Sequence, residues 1–139
     1  MSKSFNTIHE FSNITVKKTH LTVKQAGTTL ALKTDDSGDI IMLNSTNGSI
    51  ISLPSPSSGI NYKFIVSNTG AHSITSTSSN IYGKLMAGAT GGILSITSAK
   101  SVIYTTSGSM IGDDITLQSD GKNYYVSGSL SGYNGAIFM

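Results

Sequence analysis

Six aspartates carry most of the acidic charge of this chain. Asp35, Asp36 and Asp39 fall within five residues of one another, Asp113 and Asp114 are adjacent, and Asp120 stands alone. Paired carboxylates are what glycoside hydrolysis needs, one to protonate the leaving oxygen and one to act as base or nucleophile. Clustered aspartates also hold calcium. Yet the clusters sit beside Gly or Ser, in turn positions where Asp side chains bind their own backbone. The run DDSGD at 35–39 lacks the spacing of an EF-hand loop and its terminal Glu. The expectation is turn-forming acids, with no catalytic pair and no metal site.

The other reactive residue types read the same way. His9, His20 and His72 have no metal-ligand spacing such as H-x₃-H, and they read as surface histidines. No serine lies in a G-x-S-x-G elbow. Gly59 and Gly91-Gly92 lead into strands, so they offer no helix N-terminus to a phosphate. There is no cysteine, hence no disulfide framework and no thiolate zinc site. Six tyrosines, at 62, 82, 104, 124, 125 and 133, are candidates for stacking on sugars. If Tyr124 faces a core, Tyr125 faces outward, where an interface or cross-strand contact is its ordinary use. No catalytic residue, cofactor or bound metal is expected.

These residues are carried by a chain of unusual surface chemistry. Forty of its 139 residues are Ser or Thr, and only 12% are charged, about half the usual share. The nine basic residues are all lysines, dispersed from Lys3 to Lys122, for a net charge of +2. A nucleic-acid binder shows a basic stripe with arginine forks, so no nucleic-acid partner is expected. MSKSFNTIHEF has no apolar signal region, and no run is long enough to cross a bilayer. The expectation is synthesis in the cell interior with no membrane partner. Asn13, Asn44 and Asn47 head N-x-S/T sequons, which a chain this rich in Ser and Thr contains by chance.

The elements that must position these residues are strands. Hydroxyls alternate with Val, Ile, Leu, Tyr or Phe in HLTVK at 20–24, GSIISL at 48–53, INYKFIVS at 60–67, DDITLQS at 113–119 and NYYVS at 123–127. That period of two marks half-buried strands. Turn signals recur about every ten residues, as sandwiches and barrels require. Asn47-Gly48 favours a tight hairpin. Pro54 and Pro56 exclude a central strand from 53–59. Residues 72–79 read as an edge strand or loop, and 81–92 as a long irregular excursion. The clearest hairpin is 113–127, with Ile115 and Leu117 facing Tyr124 and Val126. The expected fold is all-β, a jelly-roll-like antiparallel β-sandwich of about eight to ten short strands. A β-solenoid is the alternative, but no fixed repeat period supports it. Residues 1–12 read as an N-terminal arm and 13–139 as a single sandwich domain.

Three segments carry a resemblance: GSIISLPSPSSG at 48–59, GINYKFIVSN at 59–68 and GDDITLQSDGKNYYVSG at 112–128. Together they resemble small β-rich virion proteins of double-stranded DNA viruses and tailed phages, of the capsid decoration or cement, minor capsid and fibre-head types. In these a hydroxyl-rich strand, an L-P loop, a Y-x-F strand and a D-G-x-N-[WY]-Y-V turn recur in order. The position often held by Trp is Tyr124 here. The resemblance spans roughly residues 20–128 and implies a jelly-roll-like sandwich, often a homotrimer, on a capsid or fibre. It brings no catalytic residues.

The resulting expectation is a non-enzymatic structural protein on the capsid surface of a virion, binding copies of itself and other capsid proteins. The alternative is a fibre head that binds a receptor or a host glycan. Apolar residues near the termini, Phe5, Ile8 and Phe11 in the arm and Ile137, Phe138 and Met139 in the tail, are the candidate subunit-interface residues. A polysaccharide hydrolase is the third class; turnover abolished by Asp113→Ala would establish it.

Overall fold

The computed structural model describes residues 22–88 and 92–139. The strands in chain order are β1 (Val23–Gln25), β2 (Thr29–Ala31), β3 (Ile40–Leu43), β4 (Ile50–Ser52), β5 (Ser58–Val66), β6 (Ser73–Thr75), β7 (Ile81–Ala87), β8 (Gly92–Ala99), β9 (Ser101–Tyr104), β10 (Asp114–Asp120), β11 (Tyr124–Leu130) and β12 (Ala136–Phe138). A 3₁₀ turn lies at Thr34–Asp36. The strands form two sheets: sheet A in the order β1-β3-β5-β10-β11-β7-β8, and sheet B in the order β12-β9-β6-β4-β2. The molecule is therefore an all-β sandwich, with twelve strands among the described residues rather than eight to ten.

Alternation dictates which side chains meet between the sheets. In β5, Ile60, Tyr62, Phe64 and Val66 are buried while Asn61 and Lys63 are exposed. In β10, Ile115, Leu117 and Ser119 point inward. Ile51, Ile74, Val102 and Tyr104 come from sheet B to the same core. Burying a side chain of this size stabilises by about 1.5–3 kcal/mol relative to exposure. The β10–β11 hairpin forms with the expected alternation, but its register is shifted from the expected one: Leu117 lies opposite Val126, whereas Tyr124 faces Ser119 and Ile115 faces Gly128.

Strand direction departs from the antiparallel expectation. Among the described residues, five of the ten pairings are parallel: β1 with β3, β3 with β5, β2 with β4, β4 with β6, and β7 with β11. From β1 to β6 the chain alternates between sheets, A to B and back, so each return re-enters a sheet at the same end. Three rungs are wound this way, like a short solenoid. The remainder is built mainly from antiparallel pairs such as β5·β10, β7·β8 and β9·β12. Partner residues lie 17 and 23 positions apart in sheet A (Val23, Ile40, Lys63), and 21 and 23 apart in sheet B (Thr29, Ile50, Ser73). These unequal intervals are why no fixed period is visible.

The rung corners stack. Ser49 Oγ donates to the Gly27 carbonyl, and Ser49 N–H donates to Nδ1 of His72. The Asn47-Gly48 turn is thus a corner joining two sheets, not a hairpin, because β3 and β4 lie in different sheets. Gly48 has φ +93, and a Cβ there would come within 2.3 Å of the Ala71 carbonyl oxygen. At the opposite end, Tyr62 O–H donates to the Lys33 carbonyl and Tyr124 O–H to the Pro54 carbonyl, at 2.7 Å each. Both hydroxyls pin segments that cross between the sheets.

Two further segments differ from expectation. Residues 73–75 form β6, a central strand of sheet B with Ile74 fully buried, rather than an edge. Residues 81–87 form β7, an internal strand of sheet A rather than an irregular excursion. Gly83 makes this possible: the Val126 carbonyl oxygen lies 2.0 Å from where its Cβ would be.

Candidate functional site

The aspartate clusters do not converge. Asp36 and Asp39 sit at the end of the sandwich where β3 begins. Asp39 accepts hydrogen bonds from Thr22 N–H and Oγ1–H, and its Oδ2 lies 3.9 Å from Lys24 Nζ. Asp36 pairs with Lys24 Nζ and accepts from Lys33 N–H. Burial raises the Asp36 pKa, but the Lys24 and Lys33 contacts outweigh it and hold the carboxyl below its ordinary value. Asp113 is at the opposite end and accepts from Met110 N–H, Ser131 N–H and Ser131 Oγ–H. It ties two loops together. Among the described residues no group of three metal-ligating side chains occurs.

His72 is not a surface residue. It is fully buried; Nδ1 accepts from Ser49 N–H, and Nε2 donates to the Asn68 carbonyl at 2.6 Å. Both partners have fixed roles, so they impose one neutral tautomer on the ring. Its place is structural, at a rung corner. His9 and His20 lie outside the described residues.

The candidate interface residues divide likewise. Phe5, Ile8 and Phe11, with the whole arm 1–12, lie outside the described residues. The tail has a home in its own chain. Ala136–Phe138 pairs with β9, and Met139 exchanges backbone hydrogen bonds with Ser101. Phe138 packs against the core, while Ile137 and Met139 remain exposed.

The outward face of sheet B carries no charge in its two aligned rows. Register sets Thr29, Ile50, Ser73, Ile103 and Ile137 side by side, and next to them Ala31, Ser52, Thr75 and Ser101. Ile50 and Ile137 are 57% and 49% exposed. Hydroxyl contacts link Ser73 to Thr75 and Thr75 to Ser101.

The outward face of sheet A differs. Asn61, Gln118, Tyr125 and Tyr82 occupy four adjacent strands in a single row. Tyr124 is fully buried and Tyr125 is 44% exposed, as alternation requires. The Tyr125 and Tyr82 ring centroids are 6.4 Å apart and the planes are tilted by 35°. Tyr125 O–H donates to Asp120 Oδ2, while Asp120 Oδ1 accepts from Lys122 N–H and Asn123 N–H. The backbone N–H groups of Asn123 and Lys122, with the Tyr125 hydroxyl, hold the Asp120 carboxyl below its ordinary pKa. The hairpin turn therefore fixes one ring of the pair. Only the outward sense of Tyr125 is legible in the sequence. Its neighbour Tyr82 is 43 positions away and meets it through a parallel pairing that no local signal announces.

A third feature is an open groove of about 580 Å³ between the loops after β9 and β11, bordered by Met110, Tyr133 and Asn134. No family model, curated protein or solved structure matches this chain.

Proposed function

We propose that this chain is a non-enzymatic structural module of a virion surface, a decoration or minor capsid component that works by binding copies of itself and its neighbours. The observation that carries this reading is the uncharged outward face of sheet B. Most solvated sheet faces carry charges that oppose edge and face association. Here one row mixes isoleucines with hydroxyls and the next is mostly hydroxyls, so two copies of the same face can meet without like-charge repulsion. A two-fold interface joins identical patches and needs that self-complementarity, whereas a closed trimer sets this face against a different patch of the next copy, where the lack of charge serves equally. The setting, a capsid surface, comes from the resemblance of the segments at 48–68 and 112–128.

The test uses point substitutions, since deleting 135–139 would remove a paired strand. Light scattering of the intact chain is expected to give a multimer, a trimer on the resemblance. Ile50→Lys with Ile137→Lys should reduce it to a monomer with unchanged β circular dichroism. A wild-type chain that stays monomeric at high concentration, and is absent from purified particles, removes the proposal. The glycan-binding alternative is favoured by a separate observation, the tyrosine row on sheet A.

A further inference from the structure

We infer that the Asn61–Gln118–Tyr125–Tyr82 row is a binding site for an extended, uncharged polysaccharide lying across strands β5, β10, β11 and β7. The inference rests on the glycan-binding reading and names its site and ligand class.

Adjacent strands are about 4.8 Å apart, so four side chains in one row cover about 14 Å. A rigid saccharide chain presents rings at a comparable repeat. Sugar rings offer apolar C–H faces flanked by hydroxyls. The matching surface is an aromatic platform beside groups that both donate and accept hydrogen bonds. Tyr125 and Tyr82 supply two rings side by side, tilted by only 35°. Gln118 and Asn61 are exposed, and neither side-chain amide has a hydrogen-bond partner among the described residues. Asp120 and its turn hold Tyr125 in place, so little ordering is left to occur on binding. No cation lies within the row. Lys63, in the next row, is 3.9 Å from Asp114. The Asp120 carboxylate at the row's border disfavours an acidic sugar.

The experiment is affinity electrophoresis and NMR titration of the full chain with neutral β-linked and α-linked glucan hexamers, beside hyaluronan and alginate oligomers. A neutral hexamer is expected to bind. Tyr125→Ala and Tyr82→Ala should each weaken it by at least ~10-fold, the loss of a full stacking contact. Gln118→Ala should weaken it several-fold. All three residues are exposed or half-exposed, and unchanged melting temperatures would verify folding. Neutral binding that survives the Tyr82→Ala/Tyr125→Ala double variant overturns this site while leaving the glycan-binding reading intact. Binding of the acidic oligomers alone overturns the ligand class. Binding of none of the four probes removes the inference. A broader glycan array that also stays blank removes the glycan-binding reading with it.

Discussion

Three tyrosines are fully buried, and their hydroxyls do not share one fate. Tyr62 and Tyr124 each donate to a carbonyl on a crossing segment. Tyr104, in β9 beside His72, has a buried hydroxyl with no hydrogen-bond partner among the described residues. Burying a polar group without a partner costs about 1–3 kcal/mol, and a made bond returns only about 0.5–1.5 kcal/mol net. The three Tyr→Phe variants should therefore separate. Tyr124→Phe takes the donor from the Pro54 carbonyl, while after Tyr62→Phe the Lys33 carbonyl still accepts from Asp36 N–H. Each variant loses one made hydrogen bond and is expected to lower stability by about 1 kcal/mol. Tyr104→Phe removes only an unpaired oxygen and should leave stability equal or higher. Urea titrations of the three variants read this directly. A Tyr104→Phe loss as large as the others would mean that the hydroxyl has a partner. The sequence sets Tyr62 on one face with Phe64 and Val66, and sets Tyr124 opposite in sense to Tyr125, but gives no facing to Tyr104 within SVIYTT. It does not show which hydroxyl is satisfied, because the accepting carbonyls at Lys33 and Pro54 lie 29 and 70 positions away.

At the level of elements, the legible part was alternation and the illegible part was direction. Strands β5, β10 and β11 are visible in sequence because they bury one face and solvate the other. The winding of β1 to β6 is hidden because its rungs differ in length and its corners use ordinary turn residues. Asn47-Gly48 illustrates this. The same dipeptide suits a hairpin or a sheet-to-sheet corner, and only the packing of Gly48 against Ala71 in the next rung distinguishes them. Gly83 was equally ambiguous: it reads as a breaker, yet it lets β7 approach β11 closely. A substitution tests the corner reading. Gly48→Ala places a methyl 2.3 Å from a backbone oxygen at a positive φ, two penalties that together should cost about 2–4 kcal/mol. A hairpin tip free in solvent would lose only about 1 kcal/mol from the φ term. Thermal melts of Gly48→Ala should show the larger loss, with amide-exchange protection falling first at Ser49 and Ser73. These amides are bonded to His72 and Ser49 in the stacked corner.

On the scale of the whole molecule, the buried tyrosines belong to one core fed by both sheets, and this links their titration to global unfolding. Tyr124 is pushed up to about 12 by burial. Tyr62 and Tyr104 are also held above the ordinary value of 10.0, first by burial and then by neighbouring charge, Tyr124 and the Asp36 and Asp39 carboxylates for Tyr62, and Asp113 and Asp114 for Tyr104. Each is neutral in the folded state at a pH where the unfolded chain releases the proton. The stability they contribute is thus complete below pH ~10 and declines above it, as the unfolded state alone ionises. Tyr104, the most enclosed, sets a slope of about 1.4 kcal/mol per pH unit by itself. The acid side is gentler. Asp36 and Asp120 are held below their ordinary 3.8, so their contribution is present above that value and fades as pH falls through the folded pKa, but both are near the surface. The expected outcome is cooperative alkaline unfolding between pH ~10 and ~12, with β circular dichroism lost in the same step in which the phenolate absorbance of the buried three appears. Independent local openings would instead separate the two signals, with phenolate forming while the sheets persist. Coincidence is expected because Tyr62 and Tyr124 on sheet A and Tyr104 on sheet B share one continuous core: Tyr104 is enclosed between the layers, and the Tyr62 and Tyr124 hydroxyls at the sandwich end are held by segments that cross between the sheets.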